Sequence, residues 1–204
     1  MPTGASKRRG DIHRDGDWHG ALHIWVGGID GDSRPFALFQ RRSASKDSWP
    51  GALDVAVGGH LRAGESLAET VREAEEEIGL VLTLADLTRL GRRFAHSIRG
   101  ADNEVQEVFG LRSDLPLDRY RLHPDEVEGV VSIGLDDAIA LFEGSVAAVP
   151  ALELRRDAGS GRATALDVGV SDFAAGEVGG YAVHALQGLS TILNGGVPGP
   201  FELR

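Results

Sequence analysis

The sequence predicts an α+β protein, an α/β/α sandwich in which a mixed β-sheet lies between helices. The first observation is the order of the segments. Strand-like stretches dominate as far as residue 133, with one helix after the third strand and another after the last. The second observation is a change of pattern after residue 146, where a hairpin and an amphipathic helix follow. With 204 residues, of which 42% are apolar, the chain can bury one sizeable core.

Alternation of apolar with other residues marks the strands. The first two strands flank the glycine-rich residues 27–32 and predict a hairpin. The predicted strands or extended segments are 22–26, 35–40, 53–57, 82–84, 87–96, 103–111 and 128–133. In the 103–111 strand, Glu104, Gln106 and Val108 share one side of the sheet because side chains alternate.

Three helices are predicted. The first runs between Ser66, which begins an S-x-x-E capping box with Glu69, and the terminator Gly79. The second begins at Asp136 or Asp137 and ends at Phe142. The third is C-terminal, and its apolar positions recur at helical spacing: Val178, Tyr181, Ala182, Ala185, Leu186, Leu189, Ile192 and Leu193.

The helix after Ser66 carries one apolar face and one carboxylate face. At 100° per residue, the apolar face holds Leu67, Val71, Ala74 and Ile78, and the carboxylate face holds Glu69, Glu73, Glu76 and Glu77. Like charges at these spacings cost roughly 0.2–0.5 kcal/mol per pair. The pattern therefore indicates either a solvated acidic surface or a site for a hard divalent cation, which takes carboxylate and phosphate oxygens together.

The segment 58–80, the box segment, closely resembles the Nudix box G-x5-E-x7-R-E-U-x-E-E-x-G-U, in which U is aliphatic. The matching residues are Gly59, Glu65, Arg72, Glu73, Ala74, Glu76, Glu77, Gly79 and Leu80. The resemblance implies the Nudix fold and a Mg²⁺- or Mn²⁺-dependent pyrophosphohydrolase that cleaves a nucleoside diphosphate derivative. It also implies that Glu73, Glu76 and Glu77 are the metal ligands.

One departure from the box is its spacing, because six residues rather than seven separate Glu65 from Arg72. A missing helical residue rotates all later residues of the helix by about 100°, so the loop or the first turn must absorb the deletion. We expect the cluster of Glu73, Glu76 and Glu77 to survive, since it lies after the deletion. Whether Glu65 reaches Arg72, as it usually does in the family, depends on how the turn adapts.

The resemblance extends over roughly residues 10–145 to the Nudix branch that includes isopentenyl-diphosphate isomerase. The stretch RRSASKDSWPGALDVAVGGH and the strand DNEVQEVF carry it. Gly58 stands where the isomerase has its acid–base cysteine, and the chain contains no cysteine, so the hydrolases of this branch fit better. His60, Asp102 and Glu104 match further metal ligands of the isomerase, and His13 and His19 resemble its early histidine pair.

The remaining site residues are also implied by the resemblance. Arg42 and Lys46 match diphosphate-binding positions, and the adjacent Arg41 is a further candidate, although such a basic run is also typical of a solvated loop. Glu104 is the first choice for the general base, because its strand should run beside the box helix, and Glu77 is the second. Glu65 either supports the metal ligands or orients Arg72.

Composition and charge argue against a nucleic-acid-binding protein and a membrane protein. A net charge of −10 argues against a nucleic-acid polymer as partner. No segment is apolar enough for a membrane span or a signal peptide, which favours a cytoplasmic protein. We expect a flexible segment at 1–17, the Nudix domain at 18–146, a C-terminal extension at 147–204 packed on that domain, and a homodimer. An isomerase-like enzyme on prenyl diphosphates and a non-catalytic nucleotide-binding module are the alternative functions.

Overall fold

The computed structural model describes residues 6–96, 103–156, 162–174 and 179–204. The helices in these ranges are α1 (Arg9–Asp15), α2 (Leu67–Thr70), α3 (Glu73–Ile78), α4 (Leu135–Phe142) and α5 (Gly180–Leu193). The strands are β1 (Trp18–Ile29), β2 (Pro35–Arg42), β3 (Leu53–Val55), β4 (Val57–His60), β5 (Thr88–His96), β6 (Asn103–Arg112), β7 (Val127–Gly134), β8 (Ala148–Arg155), β9 (Thr164–Gly169) and β10 (Phe201–Leu203). None of the helices that the structure describes is long and apolar enough to cross a membrane.

The strands form one mixed sheet in the order β10-β5-β6-β1-β2-β7-β8-β9. The pairs β1–β6 and β10–β5 are parallel, and the other neighbours are antiparallel. Strand β1 is central, because β6 lies along one of its edges while β4 and β2 share the other. This arrangement brings β4, which opens the box segment, next to the middle of the sheet.

Each face of the sheet buries its own apolar layer. On one face, α4 and α5 pack on a core that contains Trp25, Phe39 and Val108. On the other face, α3 and the surrounding loops pack on a core that contains Leu22, Ile24 and Ile78. Neighbouring residues of β1 belong to different cores because side chains alternate along a strand. The predicted sandwich of a mixed sheet between helices is confirmed.

The structure changes several boundaries. The predicted strand 53–57 is two short strands, of which β3 pairs with β2 and β4 pairs with β1. The residues 82–84 do not form a strand, and a 3₁₀ turn covers Leu84–Asp86. The sequence patterns predicted neither α1 nor β10. Val178, which was predicted to start the last helix, lies outside the described residues.

The C-terminal hairpin continues the main sheet. Strand β8 pairs along β7 from Ile133 to Gly129, and β9 then pairs with β8. Helix α5 crosses the opposite half of the sheet and packs on β1, β5 and β6. The side chain of Leu189 fills the space above Gly27, where a Cβ would lie 2.6 Å from its Cδ2. The extension therefore completes both the sheet and one of the two cores.

Candidate active site

The box helix, which is the helix predicted between Ser66 and Gly79 in the box segment, is capped at both ends by the residues that the sequence predicted. The Ser66 hydroxyl accepts a hydrogen bond from the Glu69 N–H, and the Glu69 carboxylate accepts one from the Ser66 N–H at 2.8 Å. At the other end, Gly79 has a left-handed φ of 76°, and the Leu80 N–H donates to the Ala74 carbonyl at 3.0 Å. Both predicted caps are confirmed.

Between the caps, the prediction of one continuous helix is wrong. Val71 and Arg72 form a turn that separates α2 from α3. The Arg72 N–H donates to the Glu69 carbonyl at 3.3 Å, and the Ala74 N–H donates to the Val71 carbonyl at 3.0 Å. Both bonds have the spacing of a 3₁₀ turn, which rotates about 120° per residue instead of about 100°. The extra rotation per residue in this turn therefore compensates for part of the rotation about the helix axis that is lost with the missing residue.

Arg72 gathers three carboxylates of the box segment. Its guanidinium contacts Glu65 and lies 2.7 Å from a Glu73 oxygen and 3.2 Å from a Glu76 oxygen. Burial raises the pKa of Glu73 above its ordinary value, although Arg72 opposes the shift. The ion pair between Glu65 and Arg72 thus forms despite the shorter spacing. We call Glu65, Arg72, Glu73 and Glu76 the Arg72 cluster.

Strand β4 supports this cluster through a glycine. A Cβ at Gly59 would lie 2.4 Å from Cγ of Glu73, closer than real Cβ atoms approach a neighbour, and 3.1 Å from its Cβ. Only the absence of a side chain at residue 59 allows α3 to pack this closely on β4. The glycine of the box motif therefore has a direct packing role, which is to seat Glu73.

Glu77 departs from the prediction that it lies on the exposed carboxylate face. It is 5% exposed, and its Oε2 accepts hydrogen bonds from the Gly58 N–H at 3.1 Å and from Gln40 Nε2 at 3.2 Å. Glu77 is three residues after the buried Ala74 and so lies only about 60° from it around the helix, which lets the packing of α3 on β4 bury it. Burial raises the pKa of Glu77 to about 8.

A second polar group lies on the face of the sheet that α5 covers. Glu104 Oε1 is 2.9 Å from His60 Nε2 and 3.7 Å from His19 Nε2. The register explains this meeting, because His19 lies opposite Glu104 in the β1–β6 pair and His60 lies opposite Ala21 in the β1–β4 pair. Burial raises the pKa of Glu104, but its interactions with His19 and His60 outweigh burial and hold that pKa well below the usual range. We call His19, His60 and Glu104 the His-Glu cluster.

The prediction that Glu104 lies beside the box helix is wrong. Its strand neighbour on the same face, Gln106, contacts Arg93, which in turn stacks on Tyr181 of α5. The two clusters are nevertheless joined by consecutive residues of β4. The Gly58 N–H bonds Glu77, Gly59 seats Glu73, and His60 contacts Glu104. One strand therefore positions groups of both clusters.

The His-Glu cluster fits a divalent metal. Its three ligand atoms all lie within 4.8 Å of one another, and two imidazole nitrogens with one carboxylate oxygen suit Mn²⁺ and other first-row divalent ions. Within the ranges that the structure describes, the box carboxylates form no such trio: Glu73 and Glu76 are paired with Arg72, and Glu77 is hydrogen-bonded to Gly58 and Gln40. Their oxygen-only donor set suits Mg²⁺. Asp102 and the side chain of His13, which the sequence also suggests as ligands, lie outside the described part of the chain.

The three cations of the basic loop are paired with carboxylates of this chain. Arg41 contacts Glu153 of β8 and donates to the Gly51 carbonyl at 2.9 Å. Arg42 donates to Asp54 at 2.7 Å. It also donates to the Ser48 carbonyl at 3.0 Å, so that it closes the loop on itself.

Lys46 of the same loop lies near the box segment. Its ammonium group contacts Glu126, and its charge also lowers the pKa of Glu77. Asp54, the partner of Arg42, acts on Glu77 in the opposite sense. The loop and the buried end of the box helix therefore face a common region.

Four polar residues near the clusters were not identified from the sequence: Gln40, Arg93, Gln106 and Tyr181. Gln40 and Gln106 are each 3% exposed, and a glutamine at an inward position of a predicted strand is a signal that could have found them. For Tyr181 the sequence offered only its place on the apolar stripe of the last helix. Its hydroxyl lies 2.9 Å from His23 Nδ1 and accepts a hydrogen bond from Trp25 Nε1 at 3.0 Å.

The box segment, the sheet and the Arg72 cluster define the class of protein. The NUDIX domain family model matches residues 22–153. The chain therefore belongs to the Nudix family, and it is a hydrolase of that family. The predicted family and the predicted class of enzyme are confirmed.

Three relatives and one solved structure give the detail. The chain is 31% identical over 142 residues to an uncharacterized Nudix hydrolase of Clostridium acetobutylicum, covering 69% of this chain and 68% of that protein. It is 32% identical over 130 residues to an isopentenyl-diphosphate Delta-isomerase of Escherichia coli, covering 62% and 68%. Of another curated relative it spans only 17% of the length. A crystal structure of a MutT/nudix family protein from Enterococcus faecalis shares the fold, with a TM-score of 0.52, 14% identity, and 82% of this chain and 60% of that chain covered.

Proposed function

We propose that this Nudix hydrolase is a Mg²⁺- or Mn²⁺-dependent pyrophosphohydrolase that cleaves the diphosphate linkage of a nucleoside diphosphate derivative. The Arg72 cluster carries the proposal, because it concentrates carboxylates around Arg72, and its member Glu73 packs on β4 and lies near enough to the buried Glu77 to raise the pKa of that group. Glu73, Glu76 and Glu77 would hold the metal. A bound divalent ion supplies neutralisation of the diphosphate charge and a more acidic attacking water.

In the reaction, a water oxygen bonds to phosphorus, the bridging P–O bond breaks, and the leaving phosphate carries away the negative charge. The proton of the water passes to a carboxylate that must lie within one hydrogen bond of it. Glu104, the first candidate from the sequence, lies on the face of the sheet that α5 covers, so it would act on a water bound at the His-Glu cluster, where its contacts with His19 and His60 keep it ionised. Glu77 is the second candidate. Arg72 and Glu65 orient Glu73 and Glu76 rather than contacting the reacting atoms.

The substrate diphosphate would be bound by Lys46 and Arg42. Lys46 lies near enough to Glu77 to lower the pKa of that group, and this proximity to the end of the box helix supports the assignment. Substrate phosphates would replace Glu126 and Asp54 as the partners of these cations. Arg41 is a weaker candidate, because Glu153 and the Gly51 carbonyl already hold it and its side chain is largely buried.

The test is product release from a panel of nucleoside di- and triphosphates, nucleotide sugars, dinucleotides and prenyl diphosphates with Mg²⁺ or Mn²⁺. Wild type is compared with Glu76→Gln, which removes a proposed ligand, and with Glu75→Gln, which changes an exposed carboxylate of the same helix outside the Arg72 cluster. We expect metal-dependent turnover that Glu75→Gln retains and Glu76→Gln loses. A folded wild type that turns over nothing on the panel would refute the proposal.

An isomerase-like activity on prenyl diphosphates is the second candidate. The similarity to the Escherichia coli isomerase and the His-Glu cluster favour it. Against it, the alkene needs proton donation and removal on opposite faces, and Gly58 offers no side chain at the position of the acid–base cysteine. Incubation with isopentenyl diphosphate decides between them, because an isomerase forms dimethylallyl diphosphate and a hydrolase releases phosphate.

A further inference from the structure

The two oxygens of Glu104 have different partners. Oε1 faces His60 and His19, at 2.9 and 3.7 Å. Oε2 accepts a hydrogen bond from Gln106 Nε2 at 2.8 Å. The carboxylate plane is therefore set by Gln106 on one side and by the histidines on the other. A residue that controls Gln106 consequently controls which way Glu104 points.

Arg93 controls the orientation of the Gln106 amide. Arg93 Nη1 donates to Gln106 Oε1 at 3.3 Å. Because a guanidinium has donors only, the amide oxygen must face Arg93 and the NH₂ group must face Glu104. Gln106 is 3% exposed, so water does not compete for either end of the amide. The sheet register keeps the two side chains adjacent, since Arg93 lies opposite Gln106 in the β5–β6 pair.

Tyr181 of α5 fixes Arg93 in turn. The Arg93 guanidinium carbon lies 4.3 Å from the centre of the Tyr181 ring, a cation–π distance. The ring is packed in the core, since the side chain is 5% exposed, and its hydroxyl also contacts His23 and Trp25. A continuous row of contacts thus runs from α5 through Arg93 and Gln106 to Glu104.

We propose that Tyr181, Arg93 and Gln106 are positioning residues that orient Glu104 for metal binding in the His-Glu cluster and for the proposed hydrolysis. Tyr181 lies beyond residues 22–153, which the family model matches. The C-terminal extension therefore has a role in the site besides completing the core. The inference rests on the proposed function for its catalytic part, whereas its metal-binding part stands by itself.

The experiment measures Mn²⁺ affinity of the metal-free full-length protein by electron paramagnetic resonance, with Mn²⁺ alone as the probe. The variant His60→Ala identifies the part of the binding that belongs to the His-Glu cluster. Mutation of a residue that hydrogen-bonds to a metal ligand typically lowers metal affinity or activity 10- to 100-fold. We therefore expect Tyr181→Leu and Gln106→Met each to weaken binding at this cluster about 10-fold or more.

The conservative variant Tyr181→Phe separates positioning from folding stability. It keeps the ring beneath Arg93 but loses the hydroxyl contacts with His23 and Trp25, so its melting temperature should fall while Mn²⁺ affinity stays near that of wild type. Phe173→Leu, in the core beside Phe39 and Phe142, is a second destabilised variant outside this row and should also retain affinity. If Tyr181→Leu does not fold, Gln106→Met and Arg93→Met carry the test.

Three results would overturn the inference. They are unchanged Mn²⁺ affinity in Gln106→Met and Arg93→Met, an equal loss of Mn²⁺ affinity in Tyr181→Phe and Tyr181→Leu, and wild-type Mn²⁺ binding that His60→Ala does not reduce.

Failure of this inference is distinguishable from failure of the proposed function. A wild type that hydrolyses no diphosphate but shows the expected affinity pattern refutes the proposed pyrophosphohydrolase activity and keeps the positioning role. If hydrolysis is found, we expect Gln106→Met to lower kcat with little change in KM.

Discussion

Glu73 of α3 packs against Gly59 of β4 so closely that a Cβ at residue 59 would lie 2.4 Å from Cγ of Glu73. The contact fixes the distance between the box helix and the strand that carries Gly58 and His60. Both neighbours of Gly59 act in the site, since Gly58 bonds Glu77 and His60 contacts Glu104. A change at this one position should therefore disturb both clusters.

Gly59→Ala tests that contact. The added methyl group must displace Glu73 or push α3 from β4, and overpacking of this kind costs about 1–3 kcal/mol. We expect a lower free energy of unfolding in urea and at least about a 10-fold loss of metal-dependent turnover, because misplaced catalytic groups lose rate steeply. Gly31→Ala is the matched control, since a Cβ at residue 31 meets nothing within 4 Å. Wild-type turnover in Gly59→Ala would contradict the role of the contact.

Arg72→Lys tests whether the guanidinium organises the three carboxylates. A lysine ammonium cannot bridge Glu65, Glu73 and Glu76 in the planar geometry of an arginine. We expect kcat to fall by about 10- to 100-fold, whereas the unfolding free energy changes by about 1 kcal/mol or less, since these ion pairs are partly exposed. Steady-state kinetics and urea unfolding measure both quantities. Equal kinetics in the two proteins would show that the cluster is only a structural feature.

The buried Glu77 predicts a pH-dependent stability in metal-free protein. Its pKa is about 8 in the fold against an ordinary value of 4.5, so between these values the folded state holds a proton that the unfolded state has lost. Stability should therefore fall as pH rises from about 4.5 to about 8, by at most a few kcal/mol. Glu77→Gln accepts the same two hydrogen bonds without a charge and should remove this part of the slope. Parallel slopes for wild type and variant, from urea unfolding in EDTA, would exclude Glu77 as the source.

Lys46→Ala and Arg42→Ala test the proposed diphosphate contacts. A hydrogen bond to a charged group is worth about 1.5–3 kcal/mol, so each variant should raise KM by about 10- to 100-fold with a smaller effect on kcat. The control is Arg34→Ala, which removes an exposed cation paired with Asp30 and Asp32 in the first hairpin turn. An unchanged KM in both loop variants would assign these cations to closing the loop through Asp54 and Glu126.

Much of the fold followed from local patterns. The alternation of Glu104, Gln106 and Val108 placed these residues on one face, as observed, because the period of a strand does not depend on its partners. The caps at Ser66 and Gly79 were equally predictable, since each acts within one turn of helix. The hairpin of β1 and β2 and the helix α4 were also marked by nearby residues. Strand β10 was not, because only three residues pair and its partner β5 is distant in sequence.

The candidate site, like the fold, was predictable from the sequence only where neighbouring residues of the chain determine it. The sequence determined that Glu76 would lie beside Arg72 and Glu73, because residues three and four apart on a helix share a surface, and it supplied the motif that identifies the family. Only the tertiary structure decided that Glu77 is buried beneath Gly58 and that His19, His60 and Glu104 meet on the face covered by α5. Those contacts join residues far apart in the chain. They depend on the register of β1 with β4 and β6, and many strand pairs together determine that register.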